Sequence, residues 1–193
     1  VTAGGSGKAT AAADIAQLTL GVETEGATTE AAREKNAEAV QAAVDFLTGM
    51  GVAESDIKTE RIYLGEQYDG GYQMSTRMTV LVREVDRAGE AIDGVVNAGV
   101  NSIYDVEYGV ADEAALYEQA LENAAADAKE SAQKMAEAAG RTLGDVISVE
   151  ESSYGGATLV RQQAEDGSFT DATLSAPGDL SVTAEVRVIY ELK

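Results

Sequence analysis

The stretch NAGVNSIYDVEYGVAD, Asn97–Asp112, decides the fold. It gathers Asn97, Asn101, Asp105, Glu107 and Asp112, enough oxygen atoms for a metal-binding or catalytic loop. The other reading is a junction that runs from helix through strand to helix. A chelating loop needs its oxygens to converge. Here alternation and capping already account for each of them. Tyr104, Val106, Tyr108 and Val110 share one face of a strand over Ser102–Val110, which sends Asp105 and Glu107 to the opposite, solvent face. Asn97–Asn101 is a helix end and turn, stopped at Gly99, and Asp112 has the chemistry of an N-cap.

Downstream, the spacing predicts a long helix over Glu113–Ala139, about 40 Å at the standard rise. Leu116, Ala120, Ala124, Ala128, Ala132 and Ala136 recur every fourth residue. Such a small-residue stripe admits a backbone closely, either this chain's own sheet or a helix of another subunit. Strands follow over Leu143–Glu150 and Asp179–Leu192, the latter with Leu180, Val182, Ala184, Val186, Val188 and Tyr190 on one face. Between them, Glu151–Gly178 is too long for a structureless loop in a compact domain. Thr158–Gln162 and Ser168–Leu174 flank Ala164-Glu165-Asp166-Gly167 as a hairpin would. This predicts a projecting arm suited to strand pairing with a neighbour, or else a mobile insertion.

Upstream, Val1–Gly7 reads as a short edge strand and Asp14–Glu23 as a half-buried strand with Ala16, Leu18, Leu20 and Val22 inward. Thr28 or Thr29 caps a helix to Leu47, with Ala32, Lys35/Asn36, Ala39/Val40 and Ala43/Val44 in its stripe; Gly49 and Gly51 end it. Ile57–Tyr68 and Tyr72–Val85 form a hairpin around Asp69-Gly70-Gly71. Ile62 and Leu64 alternate on the first strand, and Tyr72, Met74, Met78, Val80 and Val82 face one way on the second. Asp86 is placed to cap a short helix, Arg87–Ala98. The fold class is α/β in the broad sense, more narrowly α+β. Two βαββ-like halves, near 1–85 and 102–193, carry an extra short helix between them, with mixed sheets packed by helices.

Acids outnumber bases by 34 to 14, a net charge of −20. That field repels phosphate backbones and anionic bilayers, which excludes nucleic acid as a partner. Two readings of the acidity stand: a surface adapted to molar salt, and a cation-binding or basic-partner surface. The acids are scattered, as the first expects. No His and no Cys are present. This removes Ser–His–Asp and Cys–His triads, zinc–thiolate sites and disulfides. No apolar run is long enough to span a bilayer, and no signal-peptide pattern is present. The chain opens at Val1 on a strand without Met, consistent with a leader or membrane anchor already removed.

Candidate motifs are thin. Gly4-Gly5-Ser6-Gly7-Lys8-Ala9-Thr10 has a phosphate-loop flavour but has Thr2 where the first glycine belongs and Ala9 where Ser or Thr should follow the lysine. Asp166-Gly167-Ser168-Phe169-Thr170-Asp171 lacks calcium-loop spacing and reads as turn chemistry. Tyr68 and Tyr72 flank the hairpin turn, as a binding platform or as cross-strand packing. No catalytic, cofactor-binding or metal-ligating residue is assigned, and no cofactor is expected.

Taken in order, VTAGGSG, DIAQLTLGVETEG, GYQ…MTVLVRE, AGVNSIYDVEYGVAD, the alanine-repeat helix, AGRTLGDVISVEE and APGDLSVTAEVRVIYEL resemble the SIMPL-domain family. The likeness spans the chain except Glu151–Ala176, and departs at Ala13, where the family often has proline. It implies two βαββ-like halves, export to the periplasm or cell surface, homo-oligomers that are ring- or channel-like in some relatives, and a link to envelope integrity and oxidative stress. It carries no catalytic residues. With the acidity, it looks like a haloarchaeal member. The leading expectation is a non-enzymatic, exported, self-assembling envelope protein. A small-ligand or cation-binding module and a carboxylate hydrolase are the alternatives.

Overall fold

The computed structural model describes residues 1–68, 70–159 and 179–193, with backbone alone for 152–159. The chain is α+β. Its strands are β1 (Thr2–Ala12), β2 (Ile15–Gly26), β3 (Ile57–Glu66), β4 (Tyr72–Val82), β5 (Ser102–Gly109), β6 (Leu143–Leu159) and β7 (Asp179–Leu192). Its helices are α1 (Thr29–Gly49), α2 (Ala88–Asn97) and α3 (Glu113–Ala138).

Local chemistry starts and stops the helices as the spacing predicts. The Thr28 hydroxyl accepts from the Ala31 amide at 3.2 Å, and the Asp112 carboxylate accepts from the Ala115 amide at 2.9 Å. Gly51, Gly99 and Gly140 follow α1, α2 and α3 at positive φ. Asp86 does not cap α2. It lies inside a single 3-10 turn, Val85–Arg87, and Arg87 occupies the cap position without a side-chain cap bond. Arg87 instead reaches forward to Glu90 at 2.9 Å.

The chain forms two compact units. The first, built on Ala13–Gly109, has the sheet order β3-β4-β2-β5, with α1 packed on β2 and β4 and α2 against α1. Its core holds Leu18, Leu20, Val22, Leu47, Met78, Val80 and Val95. Among the described residues, the second joins Val1–Ala12 to 110–159 and 179–193 and has the order β1-β7-β6, with α3 on β1 and β7. Its core combines the alanine stripe with Val182, Ala184, Val186 and Val188.

Each unit contains the same βαββ path. β2-α1-β3-β4 gives the order 3-4-2, and β1-α3-β6-β7 gives 6-7-1. The leading strand of the second path is therefore β1 and not β5, which instead completes the first sheet beside β2. The sheets are antiparallel rather than mixed. The reason is connectivity. The strand beside the leading one is the second arm of the hairpin, which runs back against it.

β1 runs beyond Val1–Gly7, paired with β7 through Ala12; its inward face, Ala3, Gly5, Gly7 and Ala9, has too little hydropathy to show the period in sequence. The same face explains GGSG. A Cβ on Gly5 would lie 2.1 Å from the Ala124 carbonyl oxygen, and one on Gly7 would lie 2.1 Å from that of Ala120. Strand and helix backbones meet here, so the glycines serve packing and not phosphate. The alanine stripe is buried on this chain's own sheet, so it offers nothing to a second subunit.

Candidate functional site

In each unit one helix covers two strands and leaves the inner face of the edge strand bare. On β3, Ile62 and Leu64 stand opposite Thr76 and Met74, on the side that carries α1, and are 61% and 42% exposed. On β6, Val146 and Val149 stand opposite the buried Tyr190 and Val188 and are 54% and 60% exposed. Ile147, left without a partner at a register shift, is 62% exposed. Among the described residues no further strand pairs with β3 or β6, and apolar side chains that continue a core face into solvent on such an edge mark an interaction surface.

The outer face of the first sheet holds a second feature. β5 carries a bulge: Asp105 pairs with Thr19 and Ile103 with Leu20, so Tyr104 is the extra residue. Tyr104 was expected beside Val106 and Tyr108. The bulge turns it to the outer face, because a second residue must fit opposite one on β2. Its ring lies over Gly21, where a Cβ would come within 2.6 Å of it. Arg77 stacks on that ring at 4.0 Å from the centroid. The Tyr104 hydroxyl donates to Glu23 Oε1 at 3.0 Å, and Gln73 Nε2 donates to Glu23 Oε2 at 3.4 Å. Asn101 fixes the Glu23 backbone, accepting from its amide at 2.9 Å and donating to its carbonyl at 2.7 Å. Arg61 is the cross-strand partner of Arg77. Glu23, Arg61, Gln73 and Arg77, with Tyr63 and Ser75, line an open groove of about 310 Å³.

The residues of the opening stretch do not converge. Asn101 holds Glu23, Asp105 accepts from the Val106 amide at 2.9 Å, and Asp112 caps α3. Among the described residues no group of three acids is placed to hold a metal ion. Tyr68 is fully exposed beside the Gly70–Gly71 turn and lines a groove with Tyr63, Glu25 and Gln73 rather than with Tyr72. The expected arm is described only as the extension of β6 to Leu159; its remainder, with Asp166–Asp171, lies outside the described residues. Sequence reasoning missed Arg61, Arg77 and Glu23 because their proximity depends on strand register. The one signal was Gly21, an unexplained glycine within a strand.

The SIMPL family, described as a protein of unknown function (DUF541), matches residues 1–190. The chain belongs to the SIMPL family. The 26 kDa periplasmic immunogenic protein of Brucella melitensis is 30% identical, covering 98% of this chain and 83% of that one. The uncharacterized protein YggE of Escherichia coli K12 is 28% identical, covering 100% of this chain and 83% of that one. The SIMPL match runs through both units, so β1 and β7, remote in sequence, fall within one family match. No helix among the described residues is long and apolar enough to cross a membrane.

Proposed function

We propose that this SIMPL protein is an exported, non-enzymatic protein of the cell envelope that assembles with copies of itself. The observation that carries the reading is the bare inner face of the edge strands, with Ile62, Leu64, Val146, Ile147 and Val149 in solvent. Burying such a side chain is worth about 1.5–3 kcal/mol. Edge strands recruit partners through their free backbone groups, and a second copy supplies the same edges. Export is supported by the periplasmic name of the Brucella relative. The absence of His and Cys removes His- and Cys-based catalysis from the alternatives. The acidic composition supports a halophilic source and a surface that works in molar salt. A place in envelope integrity under oxidative stress belongs to the same proposal.

Light scattering after size exclusion in molar salt tests the assembly. The expected result is a discrete mass above that of the 20.0 kDa chain, falling to the monomer in an Ile147→Lys, Val149→Lys variant. A wild-type monomer at high concentration overturns it.

A further inference from the structure

The outer-face groove of the first unit presents positive charge in a protein of net charge −20. Arg61 and Arg77 face each other across β3 and β4. Like charges directly opposite on a sheet destabilise it. Among the described residues, neither guanidinium has a carboxylate within ion-pair distance; Arg83 and Arg87, by contrast, are both paired. The one carboxylate lining the groove, Glu23, is held by Tyr104, Gln73 and, through its backbone, Asn101. Tyr104 also supports the Arg77 plane from the side of Gly21. The stack and the hydrogen bonds to Glu23 tie β2, β4 and β5 together, but the Arg61–Arg77 pair works against the sheet. A bulge, a strand glycine and a like-charged pair thus meet at one groove that both arginines line.

We propose that this groove binds a small organic anion, with Arg61 and Arg77 receiving one carboxylate or phosphate group. Paired guanidinium groups suit the two or three oxygens of such a group through parallel charge-assisted bonds. Ser75 adds a hydroxyl, and Tyr63 offers a ring at the rim for the body of the ligand. The groove, about 310 Å³, has room for a carboxylate or phosphate group with a small organic body. Both oxygens of Glu23 accept hydrogen bonds, from Tyr104 and Gln73, which hold the carboxylate in place beside the two arginines. The site does not depend on self-assembly.

The test is a titration of the full chain with inorganic phosphate and, separately, with citrate, followed through arginine Nε–H signals in nuclear magnetic resonance spectra. Sodium chloride at matched ionic strength is the control. Saturable shifts at Arg61 and Arg77 are expected for at least one of the two anions. Which anion saturates distinguishes phosphate from carboxylate recognition. Arg61→Gln should weaken that binding at least tenfold, while Arg33→Gln on α1 leaves it unchanged. Arg61→Gln keeps the Arg77–Tyr104 stack, so it isolates charge from folding. Shifts that neither anion saturates, that chloride reproduces, or that persist in Arg61→Gln overturn the proposal.

Discussion

Asn36 occupies a stripe position of α1 where an apolar residue would be ordinary, and it is 1% exposed. Its Nδ2 donates to the Val22 carbonyl at 2.8 Å, and its Oδ1 accepts from the Thr76 hydroxyl at 2.6 Å. The helix is thereby fixed in register on β2 and β4. Asn36→Leu should cost about 1–3 kcal/mol, since it strands the Thr76 hydroxyl in the core. Adding Thr76→Val should recover part of that loss, and denaturant unfolding of the single and double variants measures it. Asp56 works at the surface. Its two oxygens receive Arg83 Nε and Nη2 at 2.7 and 2.9 Å, and this fork holds its carboxyl below the usual carboxylate range. A depressed folded pKa adds stability that is fully present above about pH 4 and is lost as pH falls through the lowered value. Asp56→Asn should therefore flatten that part of the acid limb in melting temperature against pH, and leave the alkaline side unchanged.

Strands and helices fit each other here through small residues. β1 and α3 approach so closely that Gly5 and Gly7 admit no Cβ against the helix backbone. Gly7→Ala should cost about 1–3 kcal/mol or more as overpacking, because a backbone carbonyl cannot swing aside. Thermal unfolding reads this directly, and Gly4→Ala serves as the control, its Cβ meeting nothing closer than 3.9 Å. The β5 bulge uses glycine differently. Gly21→Val would push Tyr104 off its seat and break its bond to Glu23. The expected outcome is loss of the ring-current shift that the tyrosine imposes on Arg77, with the fold retained. An unchanged Arg77 signal would show that the bulge does not hold the stack.

Charge acts over the entire chain. With 34 acids and 14 bases, at least twenty carboxylates have no cation to themselves, whatever pairs form. Their mutual repulsion is screened as the Debye length shrinks from about 10 Å at 0.1 M salt to about 3 Å at 1 M. The melting temperature should rise with sodium chloride over that range, by calorimetry, and a flat profile would remove the halophilic reading. The packing beneath that surface was legible to different degrees. α1 and α3 with their caps, and the inward faces of β2, β4 and β7, were readable because each depends on residues a few positions apart. The full length of β1 was not, since glycine and alanine carry no hydropathic period.

The helices α1 and α3 with their caps, the α+β class and the family were settled by local pattern and by ordered motifs, because helix capping and strand alternation act within a few residues; the Asp86 cap failed. Three things waited for the folded chain. β1 joined β7 and left β5 to the first sheet, Tyr104 turned outward, and Arg61 came to face Arg77. Each depends on which strands pair and in what register. Register is set by the burial of whole faces against helices far away in the chain, and no local spacing records it.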